Sequence, residues 1–128
     1  MLSQPVSYVT KPPVRVLILE DEPMIAFGIE DILLEAGFEI AGVTTKLESA
    51  LALIESGACD AAIVDSNLAG VCADPAAVAL TARGLPFVVL SGYSEEQLKN
   101  VFSGGCFLQK PCRPEVLVAT LTSVLPKH

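Results

Sequence analysis

Ala61-Ala62-Ile63-Val64-Asp65-Ser66-Asn67-Leu68 is the stretch whose reading decides the fold. Its four apolar residues, two of them β-branched, read as a strand buried on both faces. The strand ends abruptly in a carboxylate, so Asp65 stands at a strand's carboxyl end. In open α/β sheets ligands bind outside that edge, and a carboxylate there is placed for a task. The same residues also suit a plain turn, which Asp, Ser and Asn all favour. On this stretch alone both readings stay open.

The flanking sequence supplies the rest of an α/β pattern. Upstream, Val14 to Leu19 is an apolar strand broken by Glu20-Asp21-Glu22, and Pro23 suits the first turn of a helix, where its missing N–H has no partner to lose. Met24, Ile25, Phe27, Ile29, Ile32, Leu33 and Leu34 recur at helical spacing as far as Gly37, a natural C-cap. Phe38 to Val43 gives a second strand, and Thr45-Lys46-Leu47-Glu48 has the capping-box pattern of a helix start, with Leu47, Ala50, Leu51 and Ile54 as its apolar face up to Ser56-Gly57. Downstream of Asp65 a loop runs through Gly70. Asp74-Pro75 then reads as an N-cap and first helical position, with Val78, Leu80 and Ala82 leading to Gly84.

Pro86 to Leu90 is a fourth, wholly apolar strand ending at Ser91-Gly92-Tyr93. Ser94-Glu95-Glu96-Gln97 opens a short fourth helix that stops near Gly104-Gly105. Cys106-Phe107-Leu108 is a brief fifth strand leading to Gln109-Lys110-Pro111. Pro114 to Leu125 supplies a fifth helix with Val116, Leu117, Leu121 and Val124 on one face. Alternating strands and helices with right-handed crossovers predict a parallel sheet with helices on both faces.

Bulk properties narrow the function classes. The 128 residues suit one domain, expected over 14–128 behind a flexible leader, 1–13, which holds three prolines and no periodicity. Eight basic against fifteen acidic residues give a net charge of -7, and the basic ones are scattered, which argues against nucleic acid or an anionic membrane as a direct partner. No uncharged stretch approaches the roughly 20 residues that span a bilayer, and the N-terminus lacks a secretory pattern, so the cytoplasm is expected. Cys59, Cys72, Cys106 and Cys112 form no CxxC pair and the one His is at position 128. They read as buried thiols behaving as small hydrophobes, not as a zinc site or a disulfide framework.

A parallel sheet brings its carboxyl ends to one edge. Glu20 and Asp21 follow the first strand, Asp65 the third, Ser91 the fourth and Lys110 the fifth. Carboxylates gathered there repel one another unless a cation intervenes. Oxygen ligands from carboxylates, a main-chain carbonyl and waters suit Mg²⁺ or Mn²⁺, and Lys110 adds a point charge for an anionic group. These parts suit phosphoryl transfer to a carboxylate: Asp65 as acceptor, Asp21 and Glu20 in the metal shell, Lys110 on the phosphoryl oxygens, and the Ser91 hydroxyl donating to one of them. Each has a plainer reading as well, as a solvated loop residue or, for the acidic triplet, as a favourable charge at a helix N-terminus.

Leu19-Glu20-Asp21-Glu22-Pro23, Val64-Asp65-Ser66-Asn67-Leu68, Leu90-Ser91-Gly92-Tyr93 and Leu108-Gln109-Lys110-Pro111 together resemble the receiver domain of two-component response regulators, over residues 14 to 125. The resemblance implies a flavodoxin-like sheet of order 2-1-3-4-5 and Mg²⁺-dependent phosphorylation of Asp65 by a histidine kinase or phosphotransfer protein. It further implies that the Asn67 main-chain carbonyl is a metal ligand, and that Phe107 is a switch aromatic that packs where Ser91 was when Ser91 moves toward the phosphoryl group. The fourth helix, fifth strand and fifth helix would then present a changed surface to a downstream protein partner, with homodimerisation a further expectation. Three departures stand out: Glu20 replaces the usual Asp, Phe107 lacks the hydroxyl of the frequent Tyr, and Leu68-Ala69-Gly70-Val71-Cys72 lacks the usual Pro-Gly pair.

The expected protein is a phosphoryl acceptor, not an enzyme acting on a separate substrate, and a free-standing regulator is favoured over an excised piece of a longer one. Three other readings remain. A receiver-like module that binds partners without phosphorylation is at odds with intact Asp65 and Lys110. A haloacid-dehalogenase-type phosphatase would carry its nucleophile after the first strand in an Asp-x-Asp pair, and a nucleotide-binding flavodoxin-like module would need a Gly- or Ser-rich loop there. Glu20-Asp21-Glu22 fits neither.

Overall fold

The structure, a computed structural model, describes residues 12–68, 71–92 and 105–126, with the backbone alone described at positions 67 and 71. Among the described residues nine principal elements follow one another: β1 (Arg15–Leu19), α1 (Pro23–Glu35), β2 (Glu39–Thr44), α2 (Leu47–Glu55), β3 (Ala61–Asp65), α3 (Asp74–Ala82), β4 (Phe87–Ser91), β5 (Cys106–Gln109) and α4 (Pro114–Val124). The strands form one parallel sheet in the order β2-β1-β3-β4-β5. The expected helix opening at Ser94 and nearly all of the expected leader lie outside the described residues. Among the described residues no helix is long and apolar enough to cross a membrane.

Side-chain alternation along the strands divides the core into two layers. Val16 and Ile18 of β1, Ala61 and Ile63 of β3, and Val88 and Leu90 of β4 pack against Ala26, Ile29 and Leu33 of α1 and Leu117 and Leu121 of α4. Leu17 and Leu19, Ala62 and Val64, and Phe87 and Val89 face the other way, onto Ala50 and Ile54 of α2 and Ala76, Ala77 and Leu80 of α3. Each fully buried Leu, Ile or Phe side chain contributes roughly 1.5–3 kcal/mol relative to exposure. Both layers are needed to fix the central strands, because β3 is buried along its whole length.

The helix stops are set by glycine. After α1, Gly37 takes φ 96°. There Gly37 N–H donates to Leu34 O at 3.1 Å and Phe38 N–H to Leu33 O at 3.0 Å, closing the last turn in a Schellman arrangement. Gly57 and Gly84 repeat this pattern behind α2 and α3. At the opposite edge of the sheet from the strand ends, Arg15 clamps the entry to β3: its Nη2 lies 2.9 Å from Asp60 Oδ1 and its Nε donates to Asp60 Oδ2 at 3.0 Å. The guanidinium holds the Asp60 carboxyl below its ordinary range.

Several local expectations are corrected. The capping box at Thr45 to Glu48 does not form: α2 starts one residue later with Lys46 as its N-cap, and the Lys46 N–H is taken by the Thr44 hydroxyl at 3.0 Å. Ala73, not Asp74, is the N-cap of α3. Val78 is 61% exposed, since α3 turns its small residues Ala76 and Ala77 to the sheet. On α1 the periodic set splits, with Ile29 and Leu33 buried and Met24, Phe27 and Leu34 left on the surface. Val116 of α4 is exposed as well. The loop after Asp65 contains a two-residue antiparallel hairpin, Asn67–Leu68 with Val71–Cys72. Of the four thiols only Cys59 is buried; Cys72 is exposed and Cys106 and Cys112 lie between, and none is in a disulfide.

A Cβ at Gly105 would overlap the ring of Phe87, which is itself fully buried, whereas at Gly42 it would meet only the flexible tip of Leu53. Gly105→Ala is therefore expected to destabilise the fold by about 1–3 kcal/mol, the usual cost of overpacking. Gly42→Ala is expected to cost clearly less. Urea denaturation midpoints for the two variants check this, and equal shifts would count against the stated packing.

Candidate functional site

The carboxyl edge of the sheet gathers side chains from β1, β3, β4 and β5. Glu20 follows β1 and is held in line by its N–H donating to Thr44 O at 3.1 Å. Asp65 is the last residue of β3. Lys110 directly follows β5, and its N–H donates to Ser91 O at 2.8 Å, which extends the β4–β5 pairing by one step. The Lys110–Pro111 peptide is cis.

Alternation decides which side of the edge each group occupies. Glu20, Asp65 and Lys110 stand two residues beyond Ile18, Ile63 and Leu108, whose side chains lie in the layer under α1 and α4. All three charges therefore come to that side. Ser66 and Ser91 stand two residues beyond Val64 and Val89, which lie in the layer under α2 and α3, and Phe107 packs against that same layer. The edge thus has a charged side and a hydroxyl-and-aromatic side.

On the charged side, the Lys110 ammonium lies 3.2 Å from Glu20 Oε1 and 3.4 Å from Asp65 Oδ2. Glu20 is 1% exposed and Asp65 is 5% exposed. Glu20 Oε2 accepts from the Glu22 N–H at 3.3 Å and from Lys110 at 3.5 Å. Glu20 Oε1, although close to the ammonium, is buried with no aligned hydrogen-bond donor among the described residues. Burial, and after it the neighbouring Asp65 carboxylate, push the Glu20 carboxyl up to about 7, against the opposing pull of Lys110. Burial by itself would lower the Lys110 ammonium; the Asp65 and Glu20 carboxylates outweigh it, and the net shift is upward.

Glu20, Asp21 and Asp65 each offer a carboxylate oxygen within 4.8 Å of the others. An oxygen-only donor set, a buried acceptor with no aligned donor among the described residues, and a carboxyl raised by burial and then by its Asp65 neighbour are together what a hard divalent cation relieves, so the residues fit a Mg²⁺-type ion. Across the edge, the Ser66 hydroxyl donates to the Ser91 hydroxyl at 3.0 Å, with both residues buried. Phe107 is half-buried in β5. Asn67 begins the short hairpin, its backbone paired in register with Cys72.

The sequence-derived residues Glu20, Asp21, Asp65 and Lys110 are brought together, and Ser91 and Phe107 share the opposite side of the same edge. Tyr93 of the Leu90-Ser91-Gly92-Tyr93 motif lies outside the described residues. In the sequence Ser66 shows only the composition of a turn. Its place beside Ser91 follows from the register, in which Asp65 pairs with Leu90 so that the next residues are neighbours, and register is not visible in one sequence.

Comparison with known proteins agrees with this architecture. The model of the response regulator receiver domain family matches residues 16–122. The transcriptional regulatory protein PdtaR of Mycobacterium tuberculosis is 35% identical over 89 residues, covering 67% of this chain and 42% of PdtaR, so the chain spans less than half of that protein. Among solved structures, SdrG from Sphingomonas melonis Fr1 is 37% identical with a TM-score of 0.76, covering 88% of this chain and 96% of that one. The response regulator PhyR from Brucella abortus is 27% identical with a TM-score of 0.77, covering 90% of this chain and 49% of that one.

The Glu20 environment predicts a pH dependence. Its folded value of about 7 lies above the ordinary 4.5, so the folded state holds the extra proton and the associated stability is present below pH 4.5 and lost as pH rises through 7. In metal-free buffer, Glu20→Gln should match the wild type near pH 4.5 and exceed it at pH 8 by a few kcal/mol, at roughly 1.4 kcal/mol per pK unit. Chemical denaturation across that range measures the difference, and one that does not change with pH would refute it.

Proposed function

Because the chain belongs to the response regulator receiver domain family, we propose that it accepts a phosphoryl group on Asp65 and that this acylphosphate state is its signal. The observation that carries the proposal is the Lys110 ammonium set between the two buried carboxylates of Glu20 and Asp65. A cation held against an Asp at a strand's carboxyl end is placed for an anionic group, and phosphoryl transfer asks mainly for positioning and charge neutralisation.

In this reading an Asp65 Oδ attacks the phosphorus of a phosphohistidine on a histidine kinase or phosphotransfer protein. An O–P bond forms, the P–N bond breaks, and the imidazole leaves with the bonding electron pair and takes up a proton. Lys110 holds the acceptor carboxylate in place and then pairs with the phosphoryl oxygens. Glu20, Asp21, Asp65 and the Asn67 main-chain carbonyl would hold Mg²⁺ or Mn²⁺, whose contribution when bound is to neutralise charge building on the transferring oxygens.

Ser91 donates its hydroxyl to a phosphoryl oxygen, and Phe107 packs inward on the side that Ser91 leaves. The surface formed by β5, α4 and the segment between β4 and β5 then differs between the two states and is offered to a protein partner, a second copy of the chain included. Moving such an equilibrium from 1:99 to 99:1 takes about 5.5 kcal/mol, within reach of a few charge-assisted hydrogen bonds. The protein acts in the cytoplasm as an acceptor and relay, and turns over no separate substrate.

Incubation with acetyl phosphate and Mg²⁺ should add one phosphoryl group to the intact protein, and none to Asp65→Asn or to the wild type without Mg²⁺. Intact-protein mass spectrometry reads the gain. Lys110→Ala should slow the gain by roughly 100-fold, the usual cost of removing one electrostatic contact to a transferring group. No gain with acetyl phosphate or with a phosphohistidine donor would leave a binding module that works without phosphorylation.

A further inference from the structure

Ser66 and Ser91 form a buried hydroxyl pair that phosphoryl acceptance does not by itself require. The Ser66 hydroxyl donates to Ser91 Oγ at 3.0 Å, and the two residues are 5% and 1% exposed. Ser66 is fixed from both neighbours: its N–H donates to Leu90 O at 3.0 Å, and its carbonyl accepts from the Ala73 N–H at 3.4 Å. The pair sits on the α2/α3 side of the sheet edge, as Val64 and Val89 do, whereas Asp65 and Lys110 come to the α1/α4 side. A Ser91 hydroxyl bonded to Ser66 is therefore turned away from the acceptor carboxylate.

We propose that Ser66 is a positioning residue that latches Ser91 in its resting rotamer, so that Ser91 reaches a phosphoryl group on Asp65 only by giving up the Ser66 hydrogen bond. The latch rests on the phosphoryl-acceptor reading given above. Ser91 Oγ accepts from Ser66 and keeps its own O–H to donate, so what separates the two contacts is position. The oxygen occupies one staggered well at a time, and the well that meets Ser66 lies on the α2/α3 side. Turning Ser91 strands the Ser66 hydroxyl in a buried setting, where one neutral hydrogen bond is worth roughly a two- to tenfold factor in an equilibrium constant. Ser66 thus sets how far the resting state is favoured, without touching the phosphoryl group.

The test is the affinity for beryllofluoride, a non-covalent phosphoryl analogue, measured by titration calorimetry on the full chain with Mg²⁺ present. Ser66→Ala should tighten binding two- to tenfold, and Ser66→Thr, which keeps the hydroxyl, should stay within about twofold of the wild type. Ser91→Ala should weaken binding, and in that background Ser66→Ala should change nothing, a coupling that a purely structural role for Ser66 would not produce. If Ser66→Ala does not fold, Ser66→Cys, a much weaker donor of similar shape, takes its place. Unchanged or weaker binding by Ser66→Ala, equal effects in both backgrounds, or threonine acting like alanine overturns the latch while wild-type binding upholds phosphoryl acceptance. A wild type that binds no beryllofluoride overturns phosphoryl acceptance, and the latch with it.

Discussion

Two carboxylates buried at one sheet edge are held there by one ammonium group. Glu20 and Asp65 would repel each other in a site with little water to screen them, and Lys110 lies within 3.4 Å of both. The compensation is incomplete: Lys110 is drawn upward in pKa, yet burial and Asp65 still leave Glu20 raised to about 7. Removing the ammonium would leave uncompensated buried charge, a loss that commonly reaches 3–5 kcal/mol. Burial of Glu20 beside Asp65 therefore works against local stability, as perturbed groups at functional sites commonly do.

The topology makes this constraint possible. Parallel strands bring residues from positions 20, 65 and 110 to one edge, which no local segment of chain can do. Period-two alternation then sorts them, with charges two steps beyond the α1/α4 layer and hydroxyls two steps beyond the α2/α3 layer. Consecutive residues Asp65 and Ser66 can in this way serve opposite sides of the same edge. The separation puts the Lys110 ammonium against the Asp65 carboxylate on one side and the Ser66–Ser91 hydroxyl pair on the other.

The strands and the convergence of their ends were legible in the sequence because both follow from short apolar runs punctuated by polar residues. Val64-Asp65 and Leu19-Glu20 mark the edge wherever the exact strand boundaries fall. Features that turn on a shift of one residue were not legible. Thr45 to Glu48 has the composition of a capping box, but the strand pairing of Thr44 moves the helix start to Leu47 and leaves the pattern out of phase. Helix faces failed where apolar residues surround the helix: α1 has Met24, Phe27 and Leu34 in helical period with its core residues, and periodicity alone cannot rank the two sides. Burial of Glu20 against the partial exposure of Asp21 depends on where the chain leaves β1, and the role of Ser66 depends on register with β4.

The same register explains how the two sides of the edge can communicate. β3 ends in Asp65 on one side with Ser66, the next residue, on the other, and β5 leads into Lys110 on one side with Phe107 three residues earlier on the other. The two strands differ in their freedom. β3 is paired on both flanks, by β1 and β4, whereas among the described residues β5 is the outer strand and pairs with β4 alone. An outer strand gives up fewer backbone hydrogen bonds when it shifts, so rearrangement costs least there. Ser91 lies between them, with its hydroxyl bonded to Ser66 and its carbonyl bonded to the Lys110 N–H. Among the described residues β4 therefore has a doubly paired strand on one flank and a singly paired one on the other, so of the elements that meet Ser91 it is β5, with the α4 helix that follows it, that strand pairing constrains least.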